Sequence, residues 1–383
     1  MMDMETWRVG VLFSETGVTG AIERTQRAAT LLAIDEINAA GGVCGRRIEP
    51  VAYDPASTPS RYRELTVKLL DEDRVRVIFG GHMSSTRKAM LPIVEARSAL
   101  MFYPTLYEGF EYSRHCIYTG AAPNQNSVQL VDYLTRNYGS RVFLVGSNYV
   151  YPYESNRIIA DLFAGAGGHS VEEMYVPLNL TAGHIAKILD RVRATRPDVI
   201  YSTIVGAGIV PFYTAFKEAG FDGRQLPIAS QSTSEADVVL MRADVAEGHV
   251  TAAPFFQSVD TQAARAFVAA YHKRVGNDWP VTAPAEAAYF SVHLFAAALE
   301  RSRSDHLEEL LRSLWEVEYD APQGPVRIDG NTNHTHLWPR VARVDATGNY
   351  RVVHDAGVRV APDPFMLEVR FQHESGSAWA LSY

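Results

Sequence analysis

What most constrains the fold of this chain is an alternation of short apolar runs and longer amphipathic segments that fills its first hundred residues. Arg8 to Phe13 is a β-rich apolar run that ends in the loop Ser14-Glu15-Thr16-Gly17. A helical stripe follows from about Ala21 to Ala40, carried by Ile22, Ala29, Leu32 and Ile37 and stopped by Gly41-Gly42. Ile48 to Tyr53 is the next strand, and Thr58-Pro59 opens a helix through Leu69 and Leu70 with Pro at its first position. Val75 to Phe79 ends in Gly80-Gly81; a helix then begins near Ser84-Ser85-Thr86 and runs through Met90, Ile93 and Val94, before a fourth strand at Leu100 to Tyr103. Strands and helices that alternate in this way build βαβ units and a parallel sheet.

Beyond the aromatic loop Tyr107 to Ser113, a strand at Ile117-Tyr118 and the segment Ala121 to Asn126, the alternation restarts. Strands are expected at Val142–Gly146, Val171–Val176, Asp198–Ile204, Leu226–Ala229 and His249–Ala253. Helices are expected after Glu154 and over Ala182–Ala194, Pro211–Ala219 and Ser234–Met241. A second doubly wound lobe is the economical reading, and 383 residues suit two domains of roughly 100–200 residues each. The long amphipathic helices at 261–275 and 283–303 exceed what that lobe needs, so the chain is expected to cross back and complete the first. Gly324 to His354 reads as short antiparallel strands. The expected fold class is therefore α/β, with two doubly wound Rossmann-like lobes: 1–120 with 255–333, and 121–254 with 334–383.

Composition narrows the function classes. With 36 basic against 44 acidic side chains the formal net charge is −8, so no global positive field favours nucleic acid or an anionic membrane. No stretch approaches about 18 consecutive apolar residues, the length of a spanning helix. The start, Met1 to Arg8, lacks the basic and apolar regions of a leader, and the expected location is the cytoplasm. Cys44 and Cys116 sit in no CxxC and beside no His at metal spacing, so reduced thiols are expected and no metal or cofactor.

Open α/β sheets bind ligands outside the carboxyl ends of their strands, which directs attention there. Those ends carry Ser14 and Glu15; Gly80 to Ser84; Tyr103, Pro104 and Thr105; Ser147, Asn148, Tyr149 and Tyr151; Val205 and Gly206; and Ser230, Ser232 and Thr233. The set is rich in hydroxyls and lacks the convergent Arg or Lys pair that a carboxylate or phosphate ligand requires. A small neutral polar ligand fits better. Ser84 and Ser85 are placed either to donate to a carbonyl oxygen at a helix N-terminus or to cap that helix. Other motifs fail: Gly206-Ala207-Gly208-Ile209-Val210-Pro211 has Pro in place of the third glycine of a dinucleotide loop, and His334-Thr335-His336 has no further ligand to complete a metal site. No HExxH, Walker or GxSxG motif is present. No base is placed by sequence to activate Ser84, so catalysis is not expected.

Several longer runs resemble one family. Val11 to Thr19, Met83 to Ala89, Tyr103 to Ser113, Ala122 to Ser127, Gly146 to Pro152, Thr233 to Ala236, Asp244 to Gly248 and Asp320 to Val326 are similar to the amide sensor of bacterial aliphatic amidase operons. That sensor belongs to the type I periplasmic-binding-protein superfamily, whose neighbouring branches include urea-binding and short-chain amide-binding receptors of ABC importers. The resemblance implies two lobes joined by three crossovers, a small amide in the cleft between them, no catalysis, an RNA-binding antiterminator protein as partner, released when amide binds, and a homodimer. Carried over by position, Ser84 and Thr105 would meet the amide as hydroxyls, Tyr103, Tyr149 and Tyr151 as walls and donors, Val205 as an apolar limit and Thr233 from the far lobe. His82 stands where the sensor has Tyr and Leu106 where it has Pro, two departures flanking the expected pocket.

Overall fold

The computed structural model describes residues 6–367, with the backbone of 369–370 and 380–381. Met1 to Glu5, on which the leader reading rests in part, and most of the stretch beyond 367 assigned above to the second lobe lie outside the described residues. The chain divides into two compact units: Met1–Leu106 with Glu111–Ala121 and Val259–Leu337, and Tyr107–Phe110 with Ala122–Ser258 and Trp338–Tyr383.

The first unit opens with β1 (Trp7–Leu12), α1 (Gly20–Ala39), β2 (Ile48–Tyr53), α2 (Pro59–Asp71), β3 (Val77–Gly80), α3 (Ser84–Ala96), β4 (Leu100–Tyr103) and β5 (Cys116–Tyr118). These five strands form one parallel sheet in the order β2-β1-β3-β4-β5. The inner strands β3 and β4 are buried along their whole length, as expected of a parallel sheet covered on both faces. Phe79 of β3 stacks on Phe102 of β4 with centroids 4.9 Å apart.

The second unit carries α4 (Pro123–Asn137), β6 (Arg141–Ser147), α5 (Val150–Gly165), β7 (His169–Val176), α6 (Ala182–Thr195), β8 (Val199–Thr203), α7 (Ile209–Glu218), β9 (Ile228–Ala229), α8 (Glu235–Val238), α9 (Ala243–Ala246) and β10 (Val250–Ala253). The chain then gives the first unit α10 (Gln262–Val275), α11 (Ala283–Ser302), α12 (Leu307–Leu314) and the small antiparallel sheet β11 (Glu318–Ala321), β12 (Gly324–Ile328) and β13 (Thr335–His336). Phe295 of α11 meets both Phe79 and Phe102 edge-on, at 5.6 and 6.2 Å, so this late helix covers the first sheet. Finally β14 (Arg340–Val344) and β15 (Tyr350–Asp355) add antiparallel edge strands to the second sheet, whose order is β15-β14-β10-β9-β8-β6-β7.

Period-two alternation along β6 shows the second sheet to be doubly wound. Val142 and Leu144 enter a core with Val131 and Leu134 of α4 and Ile159 and Phe163 of α5. Phe143 and Val145 enter a separate core with Ile188 and Val192 of α6 and Phe212 and Phe216 of α7.

Several helices differ from the sequence expectation; α8 stops at Val238, short of Met241, and α9 is not among the expected helices. α4 was read only as an irregular segment, because Gln125, Asn126 and Ser127 dilute the apolar stripe; all three are buried, and Gln125 closes the helix start by accepting the Ala122 N–H at 3.0 Å. α5 begins at Val150, not after Glu154, since Pro152 falls in the first turn, where its missing N–H leaves no helical bond unmade. Tyr151 therefore stands on a helix, not on a strand-end loop. The eight-residue α12 was not anticipated at all.

The sharpest backbone constraint lies at the exit of β3. Gly80 pairs with Leu12, and a Cβ there would stand 2.4 Å from the Leu12 carbonyl oxygen. Gly81 follows at φ +84°, donates its N–H to the same carbonyl at 3.1 Å, and so turns the chain into the start of α3. Gly80→Ala is expected to lower stability by about 1–3 kcal/mol through this backbone overlap, read from the denaturant midpoint against wild type.

Candidate ligand-binding groups

In the first unit the structure gathers His82, Thr105 and Tyr103 at the carboxyl ends of β3 and β4. Gln26 of α1, fully buried, donates from Nε2 to Thr105 Oγ1 at 3.0 Å and sets its Oε1 2.9 Å from His82 Nδ1. His82 is half-buried, and loss of water around the ring lowers its pKa from 6.5 to about 4, so it is neutral at neutral pH. Tyr103 was expected to offer its hydroxyl to the ligand. Instead its ring is fully buried and the hydroxyl donates to the backbone carbonyl of His82, which makes it a support for that residue.

Ser84 is the first residue of α3 and is buried; the cap position belongs to Met83, whose side chain makes no capping bond, so the capping role considered for Ser84 does not apply. Thr105 and the half-buried Leu106 are positioned by Gly120, where a Cβ would stand 2.1 Å from the Thr105 carbonyl carbon and 2.5 Å from the Leu106 nitrogen. The loop bearing both residues thus lies directly on the Gly120 backbone.

Beside these groups is a feature the sequence did not reveal. Arg87 of α3 is completely buried, with Nε 2.8 Å from Glu111 Oε1, Nη1 3.5 Å from Ser84 Oγ, and its guanidinium carbon 4.9 Å from the centre of the Tyr103 ring. Glu111 also takes Lys88 Nζ at 2.9 Å and the Tyr118 hydroxyl at 2.9 Å. Burial works to raise the Glu111 pKa, but the charge and hydrogen bonds of Arg87 and Lys88 outweigh it and hold the carboxyl at about 2. Only the pattern of a cation one turn into a strand-end helix, with a glutamate in the following loop, could have suggested the pair.

In the second unit, Tyr149 is the extended residue before α5 and lies 6.4 Å, ring to ring, from Tyr151. Tyr151 is buried, and its hydroxyl is pushed up to about 12, first by burial. The hydroxyls of Ser232, Ser155 and Tyr201 lie beside it and work against that rise, but none of them meets full hydrogen-bond geometry with it, and the buried Ser232 Oγ likewise lacks a well-aligned partner. Val205 is half-buried, with its N–H directed to Ser147 Oγ at 3.3 Å. Thr233 is buried with its hydroxyl engaged by Ser230 at 3.0 Å and Tyr213 at 3.1 Å, so it is held inside its own unit. Ser232 was seen at a strand end but not selected. The unpartnered hydroxyls of Tyr151 and Ser232 now mark it.

Among the described residues no helix is long and apolar enough to cross a membrane, and no group of three or more His, Cys, Asp or Glu is arranged to hold a metal. Because the Glu111 pKa lies below its ordinary 4.5, the pair contributes stability that is present above that value and is lost as pH falls through about 2. Glu111→Gln leaves the Arg87 charge buried without its carboxylate and is expected to destabilise by about 3–5 kcal/mol at neutral pH. The gap to wild type should narrow as pH is lowered toward 2, measured by denaturant melts across pH.

The model of the family described as periplasmic binding protein domain matches residues 7–370. A Leu/Ile/Val-binding protein homolog from Brucella melitensis biotype 1 is 22% identical over 294 residues, 75% of each chain. Among solved structures, a solute-binding protein of an ABC transporter from Rhodopseudomonas palustris, in complex with 3,4-dihydroxybenzoic acid, superposes with a TM-score of 0.82 at 23% identity. The likeness covers 93% of this chain and 96% of that one. A branched-chain amino acid transporter substrate-binding protein from Streptococcus pneumoniae, in complex with isoleucine, gives 0.81 at 19% identity over 93% and 100% of the two chains. With strand order, doubly wound sheets and a match over nearly its whole length, the chain belongs to the periplasmic binding protein family, with the type I α/β fold.

Proposed function

We propose that this chain is a receptor for a short neutral amide and that it acts as a ligand sensor, not an enzyme. The observation that carries the reading is the charge state of the strand-end groups. His82 is neutral, Tyr151 offers an uncharged oxygen, and the two buried arginines among the described residues both have carboxylate partners: Arg87 has Glu111, and Arg340 has Asp355 at 2.8 Å. A carboxylate ligand needs a cation or a converging set of donors; a primary amide needs only the neutral donors and acceptors present. Within the first unit Ser84, Leu106 and His82 are proposed to face a ligand, with Thr105 and Tyr103 behind His82; within the second, taken by itself, Tyr149, Tyr151 and Val205 are proposed to do so, with Thr233 behind them.

The resemblance to the amidase sensor supports a finer reading: a cytoplasmic negative regulator that grips an antiterminator protein and releases it when amide binds. The names of the relatives support a second reading, the solute receptor of an ABC importer, for which the resemblance alone suggests urea or a short-chain amide as cargo. Locating the native protein by cell fractionation separates the two, the cytosol for the regulator and the periplasm for the importer.

A ligand of four heavy atoms, at a ceiling of about −1.5 kcal/mol per atom, reaches roughly −6 kcal/mol, a Kd of tens of micromolar. Calorimetric titration with formamide, acetamide, propionamide, butyramide and urea is expected to give binding in this range, with isoleucine and 4-hydroxybenzoate silent. Binding of either carboxylate while all the amides are silent would sink the amide reading. Tyr151→Phe removes a buried hydroxyl that has only poorly aligned protein neighbours. It is expected to leave the melting temperature unchanged or raised and to weaken amide binding about tenfold, in the same titration; unchanged affinity removes Tyr151 from the ligand-facing set.

A further inference from the structure

His82 leaves β3 at a turn set by Gly81, and its ring is held from a different element, α1. Gln26 Oε1 lies 2.9 Å from His82 Nδ1 while Gln26 Nε2 reaches Thr105 Oγ1 at 3.0 Å. Thr105 Oγ1 is in turn 3.3 Å from Nδ1 and 3.5 Å from the Gly81 carbonyl oxygen.

With the Gln26 amide oriented as the structure places it, Nε2 to Thr105 and Oε1 to His82, the hydrogens of this triangle have one arrangement that satisfies every group. Thr105 has a single hydroxyl hydrogen, and the Gly81 carbonyl is the acceptor in front of it. Its lone pairs therefore face the Gln26 amide N–H and the imidazole. Gln26 Oε1 only accepts. Nδ1 thus meets two acceptors, Gln26 Oε1 and Thr105 Oγ1, and carries the ring hydrogen. In a neutral imidazole of this tautomer the lone pair is on Nε2. Among the described residues nothing is hydrogen-bonded to Nε2, and the ring is only half-buried. The low pKa of His82 agrees with an imidazole that stays neutral there.

We propose that His82 Nε2 is a fixed acceptor for an N–H of the ligand, so that the receptor selects molecules bearing an amide or urea N–H over molecules of the same size without one. The assignment rests on the amide-receptor reading and deepens it, by naming the group the ligand must bring and the residue that demands it. Gln26 and Thr105 are positioning residues: they set the tautomer and do not touch the ligand through the groups that hold His82. The selectivity is carried by desolvation, since a ligand without the N–H leaves the Nε2 lone pair facing an apolar group.

Acetone is the matched probe, because it has the heavy-atom count and shape of acetamide with a methyl group in place of the NH₂. Affinities of acetamide and acetone are measured by calorimetry on wild type, His82→Gln, His82→Phe and Gln26→Met. The imidazole tautomer of ligand-free wild type is read by long-range ¹H–¹⁵N NMR at neutral pH. The expected result is a hydrogen on Nδ1 and an acetamide-to-acetone preference of about tenfold or more in wild type. That preference is largely kept in His82→Gln, whose amide oxygen reaches the place of Nε2. It drops by about tenfold in His82→Phe, and Gln26→Met reduces it by releasing the tautomer. Acetamide binding with the ring hydrogen on Nε2, or a preference unchanged in His82→Phe, overturns the assignment alone. Silence of wild type toward every amide overturns the receptor reading and the assignment with it. The NMR measurement on wild type keeps the assignment open to refutation even where a variant fails to fold.

Discussion

The ion pair between Arg87 and Glu111 is the interaction on which the carboxyl end of the first sheet depends. A guanidinium with no exposed surface is tolerable only where its charge is matched and its N–H groups are occupied. Glu111 supplies the match and at the same time collects Lys88 and the Tyr118 hydroxyl, so α3, the loop after β4 and β5 are joined through one carboxylate. The flat face of Arg87 lies over Tyr103, whose hydroxyl holds the backbone of His82. Further out, the His334 ring stacks on Tyr118 at 4.2 Å, tying the late β13 segment to the same group of side chains. One buried charge thus links residues as far apart in sequence as His82 and His334.

The pair has a second consequence. It places a cation beside the strand-end groups and cancels it in the same stroke, which leaves hydrogen-bonding capacity without net charge for the ligand. Sequence reading reached a neutral ligand because no Arg or Lys pair converged at the strand ends. In the structure a cation is there but already matched, which is why the neutral ligand is proposed on different grounds. For the short amide proposed above, roughly −6 kcal/mol would be available, so affinity would be modest and discrimination among homologous amides graded, about 1–3 kcal/mol per methylene. Selectivity between chemical classes is then better served by an orphaned donor or acceptor than by added apolar contact, and His82 and Tyr151 are the residues in that position.

Hydrophobic periodicity determined most of the architecture in advance, because each strand and helix of a doubly wound sheet must bury a face and the burying residues recur at fixed intervals. The β1 run, the α1 stripe closed by Gly41-Gly42, and the helices at 262–275 and 283–302 were legible for that reason. α4 was not, since its start buries Gln125, Asn126 and Ser127, polar residues that the sequence pattern does not show to be paired, Gln125 with Ala122 and Val360 and Ser127 with Gln231. Strand ends could likewise be named from sequence, and with them His82, Ser84, Tyr103, Thr105, Tyr149, Tyr151 and Thr233. Their roles could not, because a role depends on which partner satisfies each hydroxyl. Tyr103 and Thr233 turned out to be bonded within their own units, Tyr151 and Ser232 to be unpartnered, and Gln26, thirteen residues beyond the end of the first strand run, to hold His82. Local pattern determined the elements, which are set by neighbours along the chain. Only the tertiary structure decided hydrogen-bond partners and charge compensation, which join residues far apart in sequence and leave no periodic trace.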